Sequence, residues 1–92
     1  MVYTLYILYS QKDKRLYVGC TSNIRERLSL HQRGQVQATK SRRPLVLIHE
    51  EKFVDKTTAF NRERFLKSLW GAREKKKILS KFLSGLNPRA NL

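Results

Sequence analysis

This chain has little of what would mark it as secreted, membrane-bound or metal-caged. Its one cysteine, Cys20, cannot form an intrachain disulfide, which suits a reducing interior. With only two histidines beside it, that cysteine does not make a zinc site and reads as a small filler after a strand. No run approaches the roughly 18 apolar residues of a membrane span. The N-terminus lacks the charged region and apolar stretch of a secretory signal, so the expectation is a soluble, cytoplasmic protein. At 92 residues there is room for one core and no second domain. The deepest shortage is of acids. Seven Asp and Glu face 20 Lys and Arg, a net charge of +13, and solubility alone does not require such an excess. It asks for a polyanionic partner, with nucleic acid the leading candidate. A membrane surface ranks far behind, because no segment reads as a basic amphipathic anchor with a broad apolar face.

What is present is sufficient for a small core: 40% of the residues are apolar, too many for a disordered chain. Val2 to Tyr9 is almost wholly apolar or aromatic and predicts a strand covered on both faces. A polar turn, Ser10 to Lys14, leads to a second strand over Arg15 to Gly19, and the two make a hairpin. An even number of turn residues puts Tyr6 and Tyr17 on one sheet face; an odd number separates them. Ser22 or Asn23 caps a helix running to about Gln32. Arg33 to Arg43 is a polar, acid-free connection ended by Pro44, and Leu45 to Phe53 is the third strand. Asp55 or Thr57 starts a helix through about Trp70. Gly71 breaks it, and Ala72 to Leu83 forms the last helix, strongly basic at its start. The expected fold is a small α/β domain over residues 1–83, with a three-stranded, mainly antiparallel sheet flanked by helices in the order β-β-α-β-α-α. A loose tail over residues 84–92 follows.

The helices point toward chemistry. In the first, Ile24 and Leu28 mark the inward stripe, and Arg27 and His31 continue it. In the second, Ala59, Leu66 and Trp70 mark the stripe, with Glu63 in its middle. Polar groups on such faces are costly unless paired or used. Each has a plainer explanation alone. Glu63 and Arg27 fit a buried ion pair, and Arg27 fits a snorkelling side chain. His31 fits a residue compensating a helix end, and Tyr6 and Tyr17 fit ordinary core positions. The combination goes further: a phenol pair, a guanidinium, an imidazole and a carboxylate in a basic protein suit work on a phosphodiester.

Leu16-Tyr17-Val18-Gly19, then Asn23, Arg27 and His31, then Arg62-Glu63, resemble the GIY-YIG nuclease domain, from Tyr3 to about Lys81. Phe65-Leu66-Lys67-Ser68 and the segment from Ala38 to Pro44 are similar to its standalone, single-domain bacterial branch. Thr4-Leu5-Tyr6 stands where the family has Gly-Ile-Tyr, so only the tyrosine of that motif matches. The resemblance implies an endonuclease hydrolysing phosphodiester bonds, DNA more readily than RNA, in repair or processing. It implies one divalent metal, Mg²⁺ or Mn²⁺, held by Glu63 with waters and phosphate. Arg27 would neutralise charge on the phosphate. Tyr17 would deprotonate or orient the attacking water beside Tyr6, and His31 would move a proton or contact phosphate. Lys40, Arg42 and Arg43, and Arg73, Lys75 and Lys76, are the expected backbone contacts, which position nucleic acid without reading its sequence. A partner protein would supply targeting. The alternative is a non-catalytic nucleic-acid-binding module on the same fold.

Overall fold

The computed structural model describes residues 1–85. Strands β1 (Tyr3–Ser10) and β2 (Leu16–Thr21) form the hairpin, followed by helix α1 (Ile24–Gln32), strand β3 (Leu45–Phe53), helix α2 (Lys56–Lys67) and helix α3 (Ala72–Gly85). Short 3-10 turns at Lys40–Arg42 and Leu69–Gly71 complete the connections. The order is the expected β-β-α-β-α-α. The sheet runs β2-β1-β3 with both pairings antiparallel. β1 is therefore central, and its residues Thr4 to Leu8 are all buried, which is why it carries no polar alternation.

Alternate residues of β1 serve two separate cores. On one face Leu5 and Ile7 join Val18 of β2 and Leu66 of α2, with Ile48, Phe53 and Ile78 packed around them. On the other, Tyr6 and Leu8 join Leu45, with Tyr17, Leu47 and the α1 residues Ile24 and Leu28. Fully burying one such aliphatic side chain stabilises the fold by about 1.5–3 kcal/mol. The helices thus divide between the faces, α1 on the tyrosine side and α2 and α3 on the aliphatic side. A bulge lies in the β1–β3 pairing: Ile7 opposes His49 and Leu8 opposes Leu47, leaving Ile48 as the extra residue.

Local signals explain the element ends. Asn23 caps α1 by accepting from the Glu26 N–H at 3.1 Å, while its own amide donates to the Glu26 carboxylate at 3.2 Å. At the other end Gly34, with φ +76°, bonds back to His31 and lets Gln35 bond to Leu30, closing a Schellman turn. Asp55 caps α2 through the Thr58 N–H at 2.8 Å.

Helix α2 corrects one expectation. It ends at Lys67, not near Trp70, because Ser68 adopts an extended backbone and turns both its N–H and its hydroxyl onto the Phe65 carbonyl, at 3.1 and 2.6 Å. Breaking the helical phase there swings the next residues outward. Leu69 is 92% exposed and Trp70 84% exposed, although periodicity had put Trp70 on the inward stripe. Helix α3 runs on to Gly85, two residues into the segment expected to be a loose tail; the rest of that segment, residues 86–92, lies outside the described residues.

Candidate active site

The hairpin decides whether the two motif tyrosines meet. Its ladder ends at Tyr9 opposite Leu16, so the connection holds Ser10 to Arg15, an even number, and Tyr17 opposes Leu8 on the face of Tyr6. The two rings lie with centroids 6.3 Å apart. Gly19 sits directly opposite Tyr6, and the Tyr6 ring lies over it. A methyl group built on Gly19 would come within 2.9 Å of the ring Cε1 and closer still to the hydroxyl end. The glycine of the second motif is therefore the space that the first motif's tyrosine fills.

His31 completes the cluster from α1. Its ring stands edge-on to both phenols, 5.6 Å from Tyr6 and 5.2 Å from Tyr17. Its Nε2 is hydrogen-bonded to the Tyr6 hydroxyl at 2.9 Å, and its Nδ1 to the Thr39 hydroxyl at 2.7 Å. Tyr6, His31 and Thr39 are all essentially sealed from solvent, and no buried side-chain polar atom among the described residues lacks a partner. Burial, and then the charge of Arg27, hold the His31 pKa below its ordinary value, so the ring is neutral, with one nitrogen donating and the other accepting. Burial is also the main cause that pushes the Tyr6 hydroxyl well above the usual phenol range, followed by the neighbouring Tyr17. Arg27 pulls it down and Glu63 pushes it up, so both charges act on this hydroxyl. Tyr17 is only half-buried and is the phenol that solvent reaches.

Arg27 and Glu63 come to the cluster from different sides. The Arg27 side chain lines a hollow of about 340 Å³ together with Cys20, Thr21, Ser22 and the α2 residue Phe60. The hollow is thus shared by side chains of β2, α1 and α2. Glu63 belongs to the helix on the aliphatic face, and its charge is felt at Cys20 as well as at Tyr6. The buried Arg27–Glu63 ion pair considered from the sequence does not form. Glu63 is bonded to Lys67 one turn on, at 2.8 Å, and Arg27 has no ion-pair partner among the described residues.

The candidate phosphate contacts differ in how free they are. Lys40, Arg73 and Lys76 are exposed, and Lys75 is half-buried. Arg42 is engaged: its guanidinium pairs with Asp13 of the hairpin turn at 2.7 Å, and its carbonyl accepts from Ser10 at 2.6 Å. That bond from Arg42 is the main cause holding the Asp13 carboxyl down to about 2. Arg43 folds back onto the carbonyls of Lys40 and Gln32 at 3.0 and 3.4 Å. These two arginines fasten the Arg33–Arg43 connection, which carries Thr39. Thr39 carries no functional signal in the sequence, because nothing local links it to a histidine across the intervening turn. The Glu63–Lys67 pair, by contrast, has the i,i+4 spacing that announces it.

As metal ligands the residues are sparse. Among the described residues no three His, Cys, Asp or Glu gather into a group able to hold an ion. A closed protein cage is therefore not on offer. A single half-buried carboxylate, Glu63, has the chemistry to take a hard ion that keeps most of its waters.

The sequence model of the GIY-YIG catalytic domain matches residues 2–77. The chain belongs to that family. Among its relatives, a UPF0213 protein of Natronomonas pharaonis is 36% identical over 75 residues, covering 80% of this chain and 87% of the relative. A UPF0213 protein of Staphylococcus haemolyticus is 41% identical over 58 residues, covering 62% and 71%. The solution NMR structure of a UPF0213 protein from Bacillus halodurans has a TM-score of 0.53 and 31% identity, covering 99% of this chain and 93% of that one. In this GIY-YIG domain the position of the first motif's glycine is taken by Thr4, which is buried in β1 with its hydroxyl accepting from Lys52 at 3.0 Å. Among the described residues positive φ occurs at Lys14 and Gly34, so Thr4 occupies a backbone that asks for no glycine.

Proposed function

We propose that this GIY-YIG domain is a metal-dependent endonuclease that hydrolyses phosphodiester bonds, in DNA before RNA, as part of repair or processing. The observation that carries this reading is the contact of Tyr6, Tyr17 and His31 within reach of two opposite charges, Arg27 and Glu63. A binding module would need none of that buried arrangement, and a carboxylate facing a polyanion would weaken it.

In hydrolysis a water oxygen bonds to phosphorus and gives up a proton to solvent, one P–O ester bond breaks, and the leaving oxygen takes a proton from solvent. Tyr17, the phenol open to solvent, holds and orients the water. Tyr6 is sealed, fixed by His31 and keeps its proton, so it positions the Tyr17 ring beside it rather than acting as the base. Arg27, unpaired, neutralises the charge that grows on the phosphate in the transition state. Glu63, released from Lys67, would hold Mg²⁺ or Mn²⁺, which supplies Lewis-acid polarisation of the phosphate. The functional unit is residues 1–83, it works in the cytoplasm, and a partner protein targets it. No helix of the described residues is long and apolar enough to cross a membrane.

The test is cleavage of plasmid and branched DNA in Mg²⁺ or Mn²⁺ by the wild type, Glu63→Ala and Arg27→Ala. Cleavage by the wild type alone, with binding retained in the variants, supports the reading. Salt-sensitive binding without cleavage in any metal replaces it with the non-catalytic module.

A further inference from the structure

The chain's single tryptophan, Trp70, is among its most exposed large side chains at 84%. Tryptophan is highly buried on average, so an indole in solvent is an observation needing an explanation. It is also held firmly. The turn Leu69–Gly71 is closed by the Gly71 N–H on the Ser68 carbonyl at 3.2 Å. The Gly71 backbone lies so close to α2 that a methyl group there would come within 2.6 Å of the Leu66 Cα. Nothing larger than glycine fits, and the turn is pressed against a core residue that is itself sealed from solvent. The indole is therefore displayed on a rigid corner rather than carried on a loose end.

Its neighbours in the chain are strongly basic. Arg64, Arg73, Lys75, Lys76 and Lys77 flank it in the chain and form no ion pair among the described residues. The acids nearby are already taken, Glu63 by Lys67 and Glu74 by Arg62. A second copy of this chain would bring the same cations against themselves, so self-association is the wrong use. Cations grip phosphates, and a flat aromatic face accepts a base that is not already stacked on its neighbours. A fully paired duplex offers no such base along its length.

We infer that Trp70 is a stacking platform for an unpaired base, and that the substrate is nucleic acid with a single-stranded or unstacked element, such as a flap, gap or loop. Lys67, two residues before the Trp70 turn begins, bonds Glu63 one helical turn back and so ties this corner to the carboxylate of the proposed reaction centre. This inference rests on the nucleic-acid part of the proposed function but not on cleavage. Stacking by Trp70 selects which strand segment the cations present to Glu63.

Because Trp70 is the only tryptophan, emission of the full-length chain reports on it alone. Titrations without divalent metal use four probes: a single-stranded oligonucleotide, a paired duplex of equal length, the same single strand with abasic residues, and poly-glutamate. The expected result is quenching by the base-bearing single strand and little change with the other three. By anisotropy of labelled oligonucleotides, Trp70→Ala lowers the single-strand to duplex affinity ratio roughly tenfold, and Trp70→Phe keeps most of it. Equal quenching by duplex or abasic strand overturns the inference, as does an unchanged ratio in Trp70→Ala. Quenching by poly-glutamate alone assigns the corner to an acidic protein, and concentration-dependent emission without any probe assigns it to self-association; either overturns it. Wild-type cleavage in Mg²⁺ is scored separately. Selective quenching without cleavage removes the nuclease and keeps the platform, and cleavage without selective quenching does the reverse.

Discussion

Leu5 and Ile7 leave β1 on one side, Tyr6 and Leu8 on the other, and the two sides are held together by different physics. The aliphatic side closes through dispersion and burial with Val18 and Leu66, interactions that are non-directional and share strain among neighbours. Its polar groups stand at the margin, where Glu51 bonds His49 and Arg62 at 2.7 and 2.8 Å and Arg62 also reaches Glu74. The tyrosine side puts its polar groups in the interior, in the chain Tyr6–His31–Thr39. Such a chain has no slack, since each member is the other's only alternative to an unmatched buried atom. One side is built to be stable and the other to be oriented.

Substitutions on the two sides should therefore fail differently. The largest effect is expected from Arg27→Ala, which removes a cation that the fold does not use. Cleavage should fall about 10²- to 10³-fold, while the urea midpoint stays within error of wild type. Leu66→Ala should do the opposite. It costs about 3 kcal/mol in urea unfolding and leaves the cleavage rate of the folded fraction intact at low temperature. An intermediate result is expected for Thr39→Val, which strands the His31 Nδ1. Stability should drop by about 1–3 kcal/mol, and cleavage should drop with it, since Tyr6 loses its anchor. If Thr39→Val affects stability alone, the tyrosine side is only another core.

The smallest effect is a pH dependence. His31 has a folded pKa below its ordinary 6.5, by burial first and Arg27 second. As pH falls below that value the unfolded chain takes up the proton first, so its stability relative to the fold improves. Folding stability should be full above pH 6.5 and decline below it until the folded His31 also protonates. On the aliphatic side the Arg62 bond, first of its causes, holds the Glu51 carboxyl below its ordinary value, so that contribution is lost only at lower pH, through the carboxylate range. Urea midpoints at about pH 7.5 and about pH 5.5 should differ in the wild type and converge in His31→Gln.

Much of this was legible in the residues. The unbroken apolar run of β1 announced a strand buried on both faces, and Leu45–Phe53 announced β3 to the residue. The inward positions of Ile24, Leu28 and His31 followed from helical spacing alone. Where the reading failed, a choice between partners had been made in three dimensions. Trp70 fits the α2 stripe, but Ser68 ends the helix first by satisfying the Phe65 carbonyl. Glu63 had Arg27 and Lys67 as possible partners and took the one on its own helix. Arg42 read as a free cation in an acid-free segment, yet its acid, Asp13, waits in a turn 29 residues earlier. Periodicity locates a residue on a face, and only packing decides what meets it there.

Gly19 carries a further consequence. Alternating sides protect a hairpin against sliding by one residue, because every side chain would change sides. Sliding by two escapes that protection, since each residue keeps its side. In this hairpin a slide of two would bring Tyr17 or Thr21 beneath the Tyr6 ring in place of Gly19, and either side chain would collide with it. The second motif's last letter thus works as an alignment check, admitting the Tyr6 ring at one setting of the two strands and rejecting the settings that hydrophobic patterning cannot tell apart.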